Sequence, residues 1–292
     1  MSLLKALFMG LIQGITEFLP VSSSGHLALF KKILNIDLSS GIYFDILLHF
    51  GTLIAIIIVF REDIGGMIRE FFNMLGTCFC NLLIFFKRKK GETRYKYIKV
   101  INSSYRKLVL MVVISTIPTG ILGFLGRKLV EKASDTLWMV AIGFLISAVL
   151  LLLADRHRFG KINMKKAKYS DAVILGVVQG VATLPGISRS GSTISTGFML
   201  GYNRKLAVKY SFIMSIPAVL GAVVVELAGE KNEAFGSANL PAYLLGTAVA
   251  AVVGYFSIKV MMKIIQKKRY FGFSIYCFIC AFIAIVCFFI KG

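Results

Sequence analysis

A carboxamide and a carboxylate, Gln13 and Glu17, stand four positions apart in an otherwise apolar stretch near the N-terminus. Residues at i and i+4 share one face of a helix. Their oxygens can converge on one point, which suits a hard cation or a group placed to take a proton. Beyond Pro20 come Ser22, Ser23, Ser24, Gly25 and His26. Hydroxyls beside the free N–H groups of a helix start bind anions, phosphate above all, and serve equally as ordinary N-caps. His26 adds a group that gives or takes a proton near neutral pH. A second cluster holds Pro185, Gly186, Ser188, Arg189, Ser190, Ser192 and Thr193. Its guanidinium is permanently charged and forks onto phosphate or carboxylate oxygens. One cluster thus offers an acid–base group among hydroxyls, and the other an anion clamp.

The two clusters are copies of one pattern. Gly10, Gln13, Gly14, Ser24 and Gly25 recur 166 residues later as Gly176, Gln179, Gly180, Ser190 and Gly191. The copies differ where chemistry would sit: Glu17 stands against Thr183, and Ser23 against Arg189. A carboxylate in an apolar helix costs about 2.5–3.5 kcal/mol on insertion scales, so Glu17 should face a cavity and have a partner. A purely structural ion pair between Glu17 and Arg189 would also meet that need. Asp45 and His49, again at i and i+4, either line the same cavity or pair with each other.

The elements that must hold these residues are set by composition. Of 292 residues, 57% are hydrophobic and 16% charged; a soluble domain of this length could not hide that apolar surface, so the bilayer is the solvent for much of it. The net charge of +20 would suit nucleic acid, but the basic residues cluster between apolar runs, which excludes that partner. Gln13 and Glu17 interrupt the first apolar run and no small-residue cleavage site follows, so the segment reads as mature protein. Five cysteines, Cys78, Cys80, Cys277, Cys280 and Cys287, lie in apolar stretches and read as free thiols.

Six stretches reach the length of about 20 residues that a span needs: 42–60, 106–126, 136–154, 208–228, 240–262 and 272–290. Segments 3–30 and 171–201 are each two short apolar pieces joined by a Pro/Ser/Gly break, the pattern of a re-entrant helical hairpin. Segment 64–86 carries Arg69, Glu70 and Asn73 and reads as an interfacial helix; if it crosses instead, the topology shifts by one span. The expected fold is one all-α polytopic membrane domain over 1–292. A first repeat covers 1–155 and a second 171–292, each a hairpin plus three spans. Three is odd, so the second copy enters from the opposite side and the repeat is inverted. Charge agrees: segments 61–107, 154–171, 202–209 and 259–269 hold 25 basic and 6 acidic residues, and the remainder, leaving out Glu17 and Arg189 inside the hairpins, 8 and 7. Those four segments are cytoplasmic by the positive-inside rule, which puts both termini outside. Glu226, Glu230 and Glu233 then read as an outer helix end and loop.

At these residues the chain resembles the undecaprenyl-diphosphate phosphatase, or bacitracin-resistance, family. The resemblance is carried by Gln13 to His26, which fits an (E/Q)xxxE and SS(S/T)GH pattern, and by Pro185 to Thr193, which fits PGxSRSxxT. It implies hydrolysis of undecaprenyl diphosphate to the monophosphate, which recycles the carrier for peptidoglycan and other wall polymers and confers bacitracin resistance. It also implies a divalent cation, Mg²⁺ or Ca²⁺, and an active site in the bacterial plasma membrane opening to the outer face. Gln13 takes the alternative without a second carboxylate, so a cation would rest on Glu17, Gln13, diphosphate oxygens and water.

Phosphoryl transfer asks for in-line attack, charge neutralisation and leaving-group support. On this reading Arg189 holds the diphosphate, with hydrogen bonds from Ser22, Ser24, Ser188, Ser190 and Thr193. Glu17 holds the cation or acts as base, Ser23 is the nucleophile, and His26 shuttles the proton; attack by water without a covalent intermediate stays open. The partners are the prenyl diphosphate and the bilayer, with a homodimer left open. A lipid-phosphate transporter is the alternative, because paired hairpins with a midplane polar site are also a transporter's architecture. A phosphatidic-acid-phosphatase type of enzyme shares the Ser-Gly-His element, but its Lys-rich first motif and distal Arg-x₅-His are absent from the sequence.

Overall fold

The computed structural model describes residues 2–34, 36, 41–89, 94–156, 160–229, 240–266 and 270–291. These residues are helical almost throughout: α1 (Leu3–Thr16), α2 (Ser23–Leu34), α3 (Gly41–Val59), α4 (Arg61–Lys89), α5 (Ser104–Leu125), α6 (Arg127–Ser134), α7 (Leu137–Arg156), α8 (Tyr169–Val181), α9 (Arg189–Met199), α10 (Arg204–Gly229), α11 (Leu240–Gln266) and α12 (Tyr270–Lys291). Among them, α4, α5, α7, α10, α11 and α12 are long and apolar enough to cross a membrane. This is a multi-pass membrane protein. Each expected span coincides with a helix to within a few residues. The short α6 after Gly126 was not anticipated. Glu230 and Glu233 lie outside the described residues, as does the side chain of Glu226.

The four arms α1, α2, α8 and α9 have 14, 12, 13 and 11 residues, about 16–21 Å at 1.5 Å per residue, so no single arm reaches across a bilayer. Their glycines explain how they pack. A Cβ on Gly14 would fall 2.7 Å from Val253 Cβ of α11, and one on Gly180 would fall 2.7 Å from Leu122 Cβ of α5. Small residues let the backbones approach closely where lipid supplies no hydrophobic drive between helices. Hence α1 lies along α11 and α8 along α5; α3 also lies along α11, α10 against α5, and α7 along α12. The core runs through these seams, with Phe18, Met111, Phe198, Met214 and Met261 fully covered.

Length and composition alone would let α4 cross. Its polar contacts are different. Tyr105 Oη donates to Asp63 (2.9 Å), and Arg106 donates to Glu70 (2.6 Å) and Thr77 (3.3 Å). Positions 63 to 77 cover about 21 Å of helix, yet all three bonds end at the first turn of α5. The helix therefore lies across that end of α5, with Phe71, Phe72, Leu75 and Phe79 exposed.

Candidate active site

Two tight turns place the candidate groups. After α1 the chain turns through Phe18 to Val21, and Ser22 takes a left-handed φ of 67° before α2 begins. Ser22 Oγ then accepts the Gly25 N–H (3.3 Å) as an N-cap. After α8 the left-handed residue is Gly186, with φ 86°. Ser188 caps α9 by accepting the Gly191 N–H (3.0 Å). Ser22 and Ser188 are thus equivalent in the repeat and do the same work. Ser147 of α7 steadies the second turn, donating to the Gly186 carbonyl (3.0 Å) and accepting the Ser188 N–H (2.7 Å).

Each cap leaves the next residue as the first of its helix: Ser23 on α2 and Arg189 on α9. Both meet at Glu17. Arg189 Nη2 pairs with Glu17 Oε1, while Oε2 accepts from Ser23 Oγ (2.5 Å) and Gln13 Nε2 (3.0 Å). The Glu17 side chain is 4% exposed and that of Arg189 22%. The carboxylate is therefore buried under donors, whereas the guanidinium still reaches the cavity with most of its N–H groups unspent.

That cavity has a volume of about 350 Å³ and lies between the hairpins. Its polar wall holds Glu17, Ser22, Ser23, Ser24, His49, Ser188, Arg189 and Ser190; its apolar wall includes Ile46, Val130, Ile187, Val219 and Val223. A space of this size matches a small polar group rather than a long hydrocarbon chain. The α2 and α9 N-termini both open toward it, and their partial positive charge favours an anion.

Most of the residues expected at the site converge here, and two do not. Thr193, expected on the diphosphate, points away: its Oγ1 donates to the Arg189 carbonyl (2.8 Å) and meets Ser211 Oγ of α10 (2.5 Å). A threonine one turn into a helix returns its hydroxyl to the i−4 carbonyl. His26, expected to shuttle the proton of Ser23, has its ring nitrogens on the Ser22 carbonyl (2.7 Å) and Tyr276 Oη (2.8 Å), and it does not line the cavity. The Asp45/His49 alternative resolves toward the cavity. Asp45 pairs with Lys31 of α2. His49 Nδ1 accepts from Gln13 Nε2 (3.0 Å) and lies 3.5 Å from Glu17 Oε2. Because an amide nitrogen only donates, this contact leaves the ring proton on His49 Nε2. Ser147 and Tyr276 gave no signal in the sequence, since a lone hydroxyl in a span is ordinary.

The donor set can be tested against the expected cation. Among the described residues no three His, Cys, Asp or Glu side chains converge as metal ligands. Gln13 Oε1 is buried without a hydrogen-bond partner, while Gln13 turns its Nε2 to the Glu17 carboxylate. Mg²⁺ bound through phosphates takes only one or two protein oxygens and keeps its waters. Glu17 suits that minimal role rather than a dedicated protein cage, and Gln13 would join it only by turning its Oε1 to the carboxylate in place of Nε2.

Comparison with known proteins agrees over nearly the whole chain. Residues 6–283 match the family described as bacitracin resistance protein BacA. A protein of Alkaliphilus metalliredigens named undecaprenyl-diphosphatase is 38% identical over 276 residues, covering 94% of this chain and 95% of its own. Proteins of the same name from Methanosphaera stadtmanae and Carboxydothermus hydrogenoformans are 37% and 36% identical. The first alignment covers 98% of both chains, the second 96% of this one and 95% of the relative.

Proposed function

This chain belongs to the bacitracin resistance protein BacA family, and from that premise and the Glu17 corner we propose a membrane phosphatase that hydrolyses undecaprenyl diphosphate to undecaprenyl phosphate and inorganic phosphate. The observation that carries it is a single contact. Ser23 Oγ donates to a carboxylate 2.5 Å away, so a nucleophile and its base are already in hydrogen-bond reach, inside a cavity that also holds an arginine.

The diphosphate binds on Arg189 and the two helix N-termini, where Ser24, Ser190 and the cap hydroxyls of Ser22 and Ser188 add donors. Glu17 takes the proton of Ser23 as Oγ attacks the terminal phosphorus. The bond to the bridging oxygen breaks, and undecaprenyl phosphate leaves. Glu17 passes the first proton to the departing monophosphate. Water then attacks the phosphoserine, giving its proton to Glu17, which hands it to Ser23 Oγ as the P–O bond breaks, so that inorganic phosphate departs with Ser23 restored. The hydrogen bond from Ser23 to Glu17 supports this route over direct attack by water. A divalent cation, Mg²⁺ or Ca²⁺, held by Glu17 and Gln13 with the diphosphate oxygens, would supply further neutralisation of the transferring phosphoryl group.

The same reading makes the hairpins re-entrant and the repeat inverted. Support comes from arms too short to span and from the exchange of partners between halves, α1 on α11 against α8 on α5. It places the protein in the bacterial plasma membrane with the cavity toward the outer face, supported by the basic residues gathered in the segments assigned to the cytoplasm. The prenyl chain would then lie along the apolar wall and out into lipid.

The decisive assay is phosphate release from undecaprenyl diphosphate by detergent-solubilised protein, with no gradient, with and without a chelator. Release that Arg189→Ala abolishes and a chelator suppresses supports the reading. A protein active only across a sealed membrane would instead be a transporter.

A further inference from the structure

We propose that His26, clamped by Tyr276 of α12, is a positioning residue that holds the left-handed turn at Ser22 and so presents Ser23 to Glu17, and that Tyr276 shares this role. The inference rests on the phosphatase reading for its activity arm only.

Ser22 is the one non-glycine residue with positive φ among the described residues. A side chain in that region is strained and persists only when its surroundings hold it. The Ser22 carbonyl is held twice by the same residue, accepting the backbone N–H of His26 (3.2 Å) and its Nδ1–H (2.7 Å). A carbonyl can only accept, so the ring proton sits on Nδ1 and Nε2 of the neutral ring is an acceptor. Tyr276 Oη fills it at 2.8 Å. The His26 and Tyr276 rings stack 5.6 Å apart and 5° from parallel, Phe144 meets His26 edge-on at 5.3 Å, and Cys280 Sγ lies 3.6 Å from Nε2. The residue is 2% exposed. Its hydrogen bonds are spent on the turn and on α12, whereas the hydroxyl of Ser23 is engaged by Glu17. To act as a shuttle the ring would have to abandon both partners and acquire a charge while packed against apolar neighbours. As a clamp it does its work where it stands.

The two roles separate by conservative substitution. In His26→Asn the side-chain N–H can still reach the Ser22 carbonyl, but the amide cannot relay a proton. The clamp expects His26→Asn to keep kcat within about tenfold of wild type and His26→Ala to lose far more. Tyr276→Phe should lower kcat by about threefold to tenfold, the size of one neutral hydrogen bond, with KM unchanged. The double variant His26→Asn/Tyr276→Phe should be no slower than His26→Asn alone, because the asparagine has already given up the tyrosine. A second readout needs no substrate: backbone hydrogen exchange in the first turn of α2 should accelerate in Tyr276→Phe and His26→Ala. Two results overturn the proposal: a folded His26→Asn as inactive as His26→Ala, or Tyr276→Phe matching wild type in both kcat and exchange. Exchange that shifts as expected in a wild-type protein releasing no phosphate would keep the clamp and remove the phosphatase.

Discussion

Removing either partner of the Glu17–Arg189 pair should cost stability unequally, and the order follows from burial. The Glu17 side chain is 4% exposed and that of Arg189 22%. Arg189→Met leaves a carboxylate buried with only the neutral donors of Ser23 and Gln13 and the nearby His49. Stranding a buried charge in this way costs about 3–5 kcal/mol. Glu17→Gln instead strands a guanidinium that can turn into the cavity and meet water, while the new amide oxygen still accepts from Ser23, so the loss should be about 1–3 kcal/mol. The double variant strands neither charge. It should be more stable than Arg189→Met alone, with a coupling energy on the order of 2 kcal/mol. For a chain of this length the arginine variant then melts on the order of 10 °C lower. Cys277 is fully buried and Cys78 and Cys80 are exposed, so a thiol-reactive dye on a Cys78→Ser/Cys80→Ser background follows unfolding, at one fixed scan rate because unfolding in micelles is irreversible. Additive losses in the double variant, or a glutamine variant less stable than the methionine one, would refute the reasoning. Either result would mean that the pair is not the buried bridge described.

Other perturbations separate chemistry from scaffold. Ser23→Ala should cut phosphate release by on the order of a thousandfold or more, while its stability loss stays within the about 1–3 kcal/mol of one donor to Glu17, because its helix cap is supplied by Ser22. His49→Leu leaves a Gln13 N–H unpaired and should lower kcat/KM about tenfold, with partial recovery in His49→Gln, measured by the same release assay. Gly14→Ala would drive a methyl to within 2.7 Å of Val253 Cβ and 3.0 Å of the Ala250 carbonyl and should cost about 1–3 kcal/mol of stability. Gly76→Ala in α4, where a Cβ meets nothing within 4 Å, should stabilise by about 0.5–1 kcal/mol in the same thermal assay.

The sequence made the spans and the doubled turn legible because membrane chemistry leaves few options. Apolar length reports a helix, and a Pro/Ser/Gly break inside one reports a site. It also placed Glu17, Ser23 and Arg189 together, since a buried carboxylate requires a partner. The direction of individual hydroxyls and rings was not legible. Thr193 is three residues from Ser190, and only the turn of α9 decides that one faces the cavity and the other Ser211. His26 shares a motif with Ser23, yet at three positions along a helix its ring is carried onto α12. Tyr276 reaches the site from 250 residues away in the chain, through a contact no local spacing encodes. His49 was half legible: its i, i+4 relation to Asp45 suggested a pair, and only the packing of α3 beside α1 turned it to Gln13.

The differences between the two copies then have an electrostatic reason. The shared cap serines build two helix N-termini that face one cavity, each equivalent to about +0.5 charge. Two such poles repel without an anion between them, and Arg189 adds a full positive charge. Glu17, the only acidic residue of the two motifs, supplies the counter-charge while the cavity holds no phosphate. The four groups together leave a net charge of about +1, a bias toward a polyanion that a symmetric pair of motifs could not tune. A second carboxylate at position 13 would cancel that bias, whereas Gln13 keeps the oxygen and omits the charge. On the proposed mechanism an arriving diphosphate would compete with Glu17 for Arg189 and so release the carboxylate to act on the Ser23 proton when the electrophile is in place. On that mechanism the asymmetry between Ser23 and Arg189 would convert a symmetric anion trap into a site with a direction of attack.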